Sequence, residues 1–569
     1  MTVHLNMSDQ QGMGRVFDVC VIGAGPAGIT VAMELAERGM VIALVESGDE
    51  SDSLLAQRLS DAEIVTPSSH EVMEDAVRRG LGGTSALWGG RCVPLDSIDF
   101  EVRDFIDGSG WPVGAVELAP YYRRACTILG VGDPAFEIDA CQSLATKDHQ
   151  LSANFVDTQT ARATQLERWS QSPNVWESLQ DKIKLHPNIT VQSGLTCIGF
   201  RQAQMNNSVT EMLLQPTFAV NSEPIIVKSH AFVIACGGVE STRLVLNSIS
   251  DPLGLKVWSP QLVGRYYMGH PSGKIADIEL FGDPTKTIYG FESDGGVYIR
   301  RRITFQPDTL CKEELLNIAF WLDNAPLSDW RHGSGVLSAA YLALSAPILG
   351  RFLAPAAIRK RVAGAHAGHR LQHVMNCMRS PLRTVLFCIK FFWQRYLAKP
   401  RLPGFFTYSA TNRYSLHYHA EQVPNWNSTI TLSDAVDALG QRRAKISLEW
   451  SQQDIDSIIK AHQVLDQALQ ANGVGRLVYR MVQEKFNESI REQAVDGFHQ
   501  IGTLRMATDP SSGVTDSYGC LFGVPNVFVA SSAVFPTSGQ ANPTLSLVAL
   551  AVRQAEYISK TFQRSAGNA

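Results

Sequence analysis

Residues 17–46 constrain this chain more than any other stretch. Val19 to Ile22 is a short apolar run suited to a buried parallel strand, and Gly23-Ala-Gly25-Pro-Ala-Gly28 follows it directly. In such a turn the first glycine permits the tight bend and the second lets backbone approach a pyrophosphate. The third lets the next helix pack close to the strand, with the diphosphate at that helix's positive end. The spacing predicts a helix over Ile29–Arg38 that stops at Gly39, then a second strand over Val41–Val45. Glu46 comes 18 residues after Gly28, where a carboxylate can accept both ribose hydroxyls and would repel a 2′-phosphate. A bare GxGxxG can be an inconsequential loop. Strand, helix, second strand and acid in register make this one a dinucleotide site in an α/β fold, with FAD and NAD both open.

Other glycine-rich segments narrow that choice. Gly80-Leu-Gly-Gly-Thr-Ser-Ala-Leu-Trp-Gly-Gly-Arg91 is too rich in glycine for a regular element, and it can lie as a backbone-lined loop against a flat cofactor. Phe232 to Gly238 is a strand ending in glycines, with a helix beginning near Glu240. Val527 to Ala530 is another strand, leading to Ser531, and a helix from Thr544 to Ser559 closes the fold. A cofactor touched by residues from 23 to 544 is long and deeply wrapped, which favours FAD. Near the C-terminal end, Phe498-His-Gln-Ile-Gly-Thr carries a lone His499 and Ser538-Gly-Gln-Ala-Asn-Pro-Thr a lone Asn542. A neutral imidazole can take the hydroxyl proton of an alcohol as hydride leaves its carbon, typically worth roughly 10²–10⁴ in rate. An amide N–H can stabilise the developing alkoxide. Taken alone, a His is usually surface or satisfied core, and an Asn before Pro is usually a turn former.

The chain resembles the glucose–methanol–choline oxidoreductases over most of its length. The Gly23 turn, the Gly82-Gly83-Thr84-Ser85 loop and Ala235-Cys-Gly-Gly-Val-Glu-Ser241 carry the resemblance. So do Val263-Gly-Arg265 with His270-Pro271, and the His499 and Asn542 motifs. It implies an FAD-dependent oxidation of a CH–OH group, by hydride transfer to flavin N5, with His499 as base and Asn542 as alkoxide donor. It also places Gly83, Thr84, Ser85, Ala530, Ser531 and the backbone of Pro543 and Thr544 against the flavin cofactor. Asn542-Pro-Thr is similar to the pyranose oxidase and choline oxidase branches, which pair His with Asn, rather than to the glucose oxidase branch with two His. Leu87 stands where pyranose oxidases carry the flavin-linking His, and His70 is a poor substitute, so non-covalent FAD is expected. His270 is expected to be structural. Two other classes fit the same motifs: a flavin-retaining non-redox lyase of the hydroxynitrile lyase kind, and a flavin protein with vestigial chemistry.

Charge is distributed unevenly. Arg331 to Ala420 holds 13 of the 50 Lys and Arg and none of the 55 Asp and Glu, so the net charge of −5 hides a dipolar molecule. The segment is also apolar, at Val336 to Leu349, at Ala354 to Ile358 ahead of Arg359-Lys-Arg361, and over Pro381 to Leu397, which has helical length. Basic residues interleaved with Leu, Phe and Trp suit a helix lying in an anionic membrane surface. Covering an acidic body and forming a lid are the other readings. A spanning helix is disfavoured by Pro347 and the short uncharged run.

A discontinuous Rossmann-like FAD domain is therefore expected over 15–110, 190–270 and 490–565. An α+β substrate domain on an antiparallel sheet takes 111–189 and 271–489, with the basic insertion at 331–403. That sheet should include Thr429–Leu432 and Ala444–Leu448, followed by a helix over Ser451–Leu469. His417 and His419 alternate on a strand, with polar residues outward and no third metal ligand apparent, so no metal is expected. Ten scattered cysteines without a CxxC pair and a polar N-terminus predict reduced thiols and a cytoplasmic location, peripheral at the inner membrane face. No basic, aromatic-interleaved domain argues for nucleic acid. The expected partners are an alcohol or sugar and an electron acceptor, whether oxygen, a quinone or another carrier.

Overall fold

The computed structural model describes residues 16–141, 158–203, 207–219, 222–284, 289–346, 348–353 and 369–562. The readings of residues 1–15 and of Ala354 to Arg361 fall outside them. Strands made almost wholly of Val, Ile, Leu and Ala cannot leave either face in water, so they become central. Phe17–Ile22 lies between Ile42–Glu46 and Ile225–Ile234, all parallel, and Ile189–Ser193 extends the sheet beyond Ile42–Glu46. Ile225–Ile234 changes partners along its length. Its first residues run antiparallel to Val209–Pro216, which pairs on to Leu195–Gln202, and its last residues run parallel to Val527–Val529.

Helices Pro26–Glu37 and Thr544–Phe562 pack together against this seven-stranded sheet. The first begins three residues earlier than its periodicity indicates because Pro26 fits the first helical turn. Glu46 is the last residue of its strand rather than the one after it. Two helices from the stretch 111–189, expected to belong to the substrate domain, pack on this lobe. Ala115–Leu129 packs on Thr544–Phe562 and Val175–Leu185 on Pro26–Glu37, burying Leu118, Leu129, Trp176 and Ile183 in the same core.

The second lobe is built on a six-stranded antiparallel sheet in the order Gly475–Tyr479, Ser272–Leu280, Arg413–Ala420, Ile318–Asp323, Ile303–Phe305, Ala161–Arg162. Helix Gln452–Ala471 shares its core and opens on a capping box between Ser451 and Asp454. Thr429–Val436 and Arg442–Ser447 are not in this sheet, contrary to expectation. They pair with each other and with Glu63–Ile64 and lie against helix Gly238–Ser250 of the dinucleotide lobe. Arg243 on that helix holds them there, donating to Asp437 Oδ2 at 2.5 Å and to the Arg442 carbonyl at 2.8 Å.

The basic insertion occupies the connection between the neighbouring strands Ile318–Asp323 and Arg413–Ala420. It forms helices Gly335–Ser345, Arg370–Arg379 and Pro381–Phe392, the last continuing as a π-turn over Trp393–Leu397. Among the described residues no helix is long and apolar enough to cross a membrane.

Candidate active site

One cavity of about 570 Å³ begins at the glycine turn and is also lined by His499 and Asn542. The three glycines of the turn have separate reasons. A Cβ on Gly23, at φ +103°, would meet the Ala235 carbonyl at 2.5 Å, and one on Gly28 would lie 1.9 Å from the Gly23 oxygen. Nothing stands within 4 Å of a Cβ built on Gly25, which lines the cavity. Gly25 is also the N-cap of Pro26–Glu37 and supplies no side-chain cap, leaving the positive helix end open to an anion. Glu46 lines the cavity while its carboxylate accepts from Ala24 N–H at 2.9 Å and Gly48 N–H at 3.0 Å. Burial raises its carboxyl above the usual range against the pull of those N–H groups and Arg79.

Gly83, Thr84, Ser85, Ala530, Pro543 and Thr544 line the same cavity. Gly28 does not, since its role is close packing behind the turn. Ser531 does not either: its hydroxyl caps the short helix Ser532–Val534 by accepting from Ala533 N–H, and Ser532 takes its place in the lining. The sequence reading missed Arg79, which lines the cavity and pairs with the carboxylate of Glu240. It also missed Arg91 and Asp496. Asp496 had a signal, an acid three residues before His499. Arg91 had none beyond lying at the end of the glycine-rich loop.

At the reactive end four side chains form a hydrogen-bond chain whose protons can each be assigned. Asp496 is buried and accepts backbone N–H groups from Gly497, Phe498 and His270. Burial pushes its carboxyl up, but His499, His270 and the N–H donors outweigh that and hold it well below the usual carboxylate range. As an anion it only accepts, so His499 Nδ1, 3.0 Å away, carries the proton. The bare Nε2 of His499 then accepts from Asn542 Nδ2 at 2.8 Å. Asn542 Oδ1 accepts from Arg91 Nε at 2.8 Å. Because an arginine has no acceptor, that last contact fixes which end of the amide faces the imidazole.

His419, on strand Arg413–Ala420, and His270 pack against His499. Their rings stack at 4.3 Å, and both meet the edge of the His499 ring. His419 Nδ1 donates to the Gln540 carbonyl at 2.8 Å, leaving its Nε2 unprotonated. Burial, then neighbouring imidazoles, hold His270 down to about 3 and His419 well below its usual value. His417 and His419 therefore face inward, with His417 stacked on Trp321 at 4.4 Å. The strand alternates as expected, but a second layer covers the face it was expected to expose. A different trio of imidazoles comes together, without His417: one nitrogen each of His270, His419 and His499 lie within 4.8 Å of one another. His419 and His499 each commit Nδ1 to an oxygen, the Gln540 carbonyl and Asp496 respectively, and the cluster reads as polar surroundings of the His499 ring.

Behind Asn542, the guanidinium groups of Arg91, Arg300 and Arg302 surround the Trp321 ring at 4.7, 5.2 and 5.9 Å. Glu167, fully buried, faces all three. Burial raises its carboxyl, but the three cations outweigh that and leave it below the usual range. Trp321 and Glu167 thus clamp Arg91 in the pose that orients Asn542.

A family model described as GMC oxidoreductase matches residues 424–551, and one described as FAD binding domain matches residues 18–83. The chain is 23% identical to 2-methyl-1,2-propanediol dehydrogenase of Mycolicibacterium austroafricanum, covering 96% of this chain and 95% of that protein. It is 22% identical to paromamine 6'-oxidase of Streptomyces fradiae, covering 98% and 94%. A crystal structure of formate oxidase superposes with a TM-score of 0.52 at 14% identity, over 96% of this chain and 99% of that one, a likeness of fold alone.

Proposed function

As an FAD-dependent GMC oxidoreductase that acts on CH–OH groups, the chain needs a base and an alkoxide donor at one end of its cofactor cavity, and we propose His499 and Asn542 for those roles. The observation that carries this is the chain Asp496–His499–Asn542–Arg91, which presents an unprotonated Nε2 and an amide N–H toward each other across 2.8 Å. A substrate hydroxyl entering between them donates its proton to His499 Nε2 and accepts from Asn542 Nδ2. Asp496 stabilises the imidazolium that results, and the amide N–H meets the charge that grows on oxygen. His419 and His270, held neutral, lie against the His499 ring without adding positive charge. FAD, when bound, supplies the hydride acceptor. The residues present suit it: an open helix N-terminus beside Gly25, Glu46 at the end of the second strand, and Pro543 and Thr544 beside Asn542.

The cofactor is non-covalent in this reading, because Leu87 occupies the loop position beside the cavity where a linking His would stand. Acid precipitation should release all of the yellow colour into the supernatant. The substrate is a sugar ring hydroxyl or a lipophilic alcohol, in keeping with curated relatives named as a diol dehydrogenase and a paromamine oxidase. Oxygen, a quinone or another carrier reoxidises the enzyme. Peripheral association with an anionic membrane face through 331–403 belongs to the same reading and rests on different residues.

Anaerobic stopped-flow with a panel of sugars, glycosides and long-chain alcohols tests the redox assignment. One class should bleach the oxidised-flavin band, and His499→Ala should slow the bleaching by about 10²–10⁴-fold. An unaffected His499→Ala variant would remove the base, and a fully loaded flavin that no alcohol bleaches would overturn the reading.

A further inference from the structure

In a protein that meets only water, helices bury their apolar side chains and expose their polar ones. Two helices of the insertion, Arg370–Arg379 and Pro381–Phe392, do the reverse: what they bury is His373, Asn376 and Thr384, packed beside Ser338 of Gly335–Ser345, which itself also buries Val336, Leu337 and Tyr341. Asn376 Nδ2 donates to Ser338 Oγ at 3.1 Å and to the Trp330 carbonyl at 2.7 Å, and Ser338 and His373 Nδ1 lie 3.0 Å apart. Thr384 is drawn in beside Gly335, where a Cβ would stand 2.4 Å from its hydroxyl.

The outer face is apolar. Of the 33 large apolar side chains exposed among the described residues, 14 lie between Ile348 and Leu397, under a tenth of the chain. Leu371 and Met378 are 70% exposed, Leu382 73%, Ile389 63% and Trp393 61%. On Pro381–Phe392 the sequence positions 382, 385, 386, 389 and 392 form one stripe at helical spacing, continued through Trp393 into the π-turn. Thr384, Phe387 and Phe391 anchor the opposite side, the two phenylalanines against Phe405. Arg383 and Lys390, seven residues apart, run along one border of the stripe. No Asp or Glu occurs from Arg331 to Ala420 to offset them.

We propose that helices Arg370–Arg379 and Pro381–Phe392 form a platform that lies in the plane of an anionic lipid bilayer. The apolar stripe enters the acyl boundary and the flanking cations meet the headgroups, an assignment that rests on the membrane-face reading of 331–403 and is independent of the redox chemistry. The charge argues for lipid over a second copy of the chain, whose remaining body is acidic but whose own platform would bring cation against cation across a two-fold contact. The platform grows from the ends of Ile318–Asp323 and Arg413–Ala420, the strands that carry Trp321, His417 and His419. Docking therefore brings the substrate lobe to the lipid surface.

Flotation of the FAD-loaded protein with vesicles tests this, comparing phosphatidylcholine alone with a 3:1 phosphatidylcholine–phosphatidylglycerol mixture. Wild type should float with the anionic vesicles and at least tenfold less with the neutral ones, and 0.5 M salt should weaken binding. The triple variant Leu386→Glu, Ile389→Glu, Trp393→Glu changes only exposed side chains. It should lose flotation by more than tenfold while keeping its melting temperature and its rate of flavin reduction by a soluble alcohol. Wild type that stays at the bottom of the gradient, or a triple variant that floats as wild type does, overturns the proposal. A wild-type dimer that the triple variant dissolves, with no flotation by either, overturns it in favour of a subunit contact. Flotation without flavin reduction by any alcohol would instead sink the redox assignment and leave the platform standing.

Discussion

The amide of Asn542 shows how much chemistry can hang on one orientation. Turned as it is, Nδ2 faces His499 and Oδ1 faces Arg91. Turned over, Oδ1 would face the bare nitrogen of His499, lone pair against lone pair, unless His499 took up a proton and lost the capacity to act as the proposed base. Arg91 decides between the two. Arg91→Met removes the N–H that holds the amide, and we expect flavin reduction to slow by about 10²-fold with little change in substrate KM. The acid limb of the rate against pH should also move, because the flipped amide favours a protonated imidazole. Arg91→Lys should recover part of the rate by restoring a donor. An Arg91→Met variant with wild-type rate and pH profile would show that the amide is held by something else. His499 and Asn542 were legible in their motifs, because backbone signals such as Gly502 and Pro543 sit beside them. Arg91 and Glu167 were not, since 76 residues separate them in sequence and only the pairing of Arg91–Cys92 with Leu166–Trp169 brings them together.

Between elements, the glycine turn separates folding from binding within six residues. Gly28→Ala places a methyl 1.9 Å from a backbone oxygen, which neither Pro26–Glu37 nor Phe17–Ile22 can avoid without moving apart. We expect that variant to lose soluble expression or to melt well below wild type. Gly25→Ala meets no atom within 4 Å and points into the cavity, so its apoprotein should melt as wild type does while its FAD affinity falls. Thermal melts and flavin titration of the two apoproteins would show the contrast, and equal behaviour in both assays would refute it. These elements were readable because period and glycine spacing act over short range. The hairpin Thr429–Ser447 was readable as a hairpin but not in its place, because its partner Glu63–Ile64 and its anchor Arg243 lie far away in the chain. The strand Arg413–Ala420 was likewise clear, yet which of its faces is covered depended on Met268 to Pro271 and the loop at His499.

Over the whole molecule, buried neutral imidazoles couple stability to pH. Burial holds His270 down to about 3, and His417 and His462 to about 4, against the ordinary value near 6.5. Below about pH 6.5 the unfolded chain binds protons that these side chains refuse in the folded state. Their stabilisation is therefore complete above 6.5 and declines as pH falls toward 4, by about 1.4 kcal/mol per pH unit for each. The melting temperature should drop between pH 7.5 and pH 5, and His462→Leu, remote from the cavity, should shallow that drop. A flat or rising profile would refute it. From its own residues the chain determined the dinucleotide unit, the acid that ends its second strand, the motifs that carry His499 and Asn542, and a cationic apolar insertion free of acids. All of these are set by neighbours a few residues apart, through backbone sterics, helical or strand period, and local charge. Tertiary structure alone decided that Asn542 presents its N–H to His499, that three arginines share Glu167 around one indole, and that helices Arg370–Arg379 and Pro381–Phe392 turn polar side chains inward. Each of those depends on which distant surfaces exclude water from one another, and no local spacing records that.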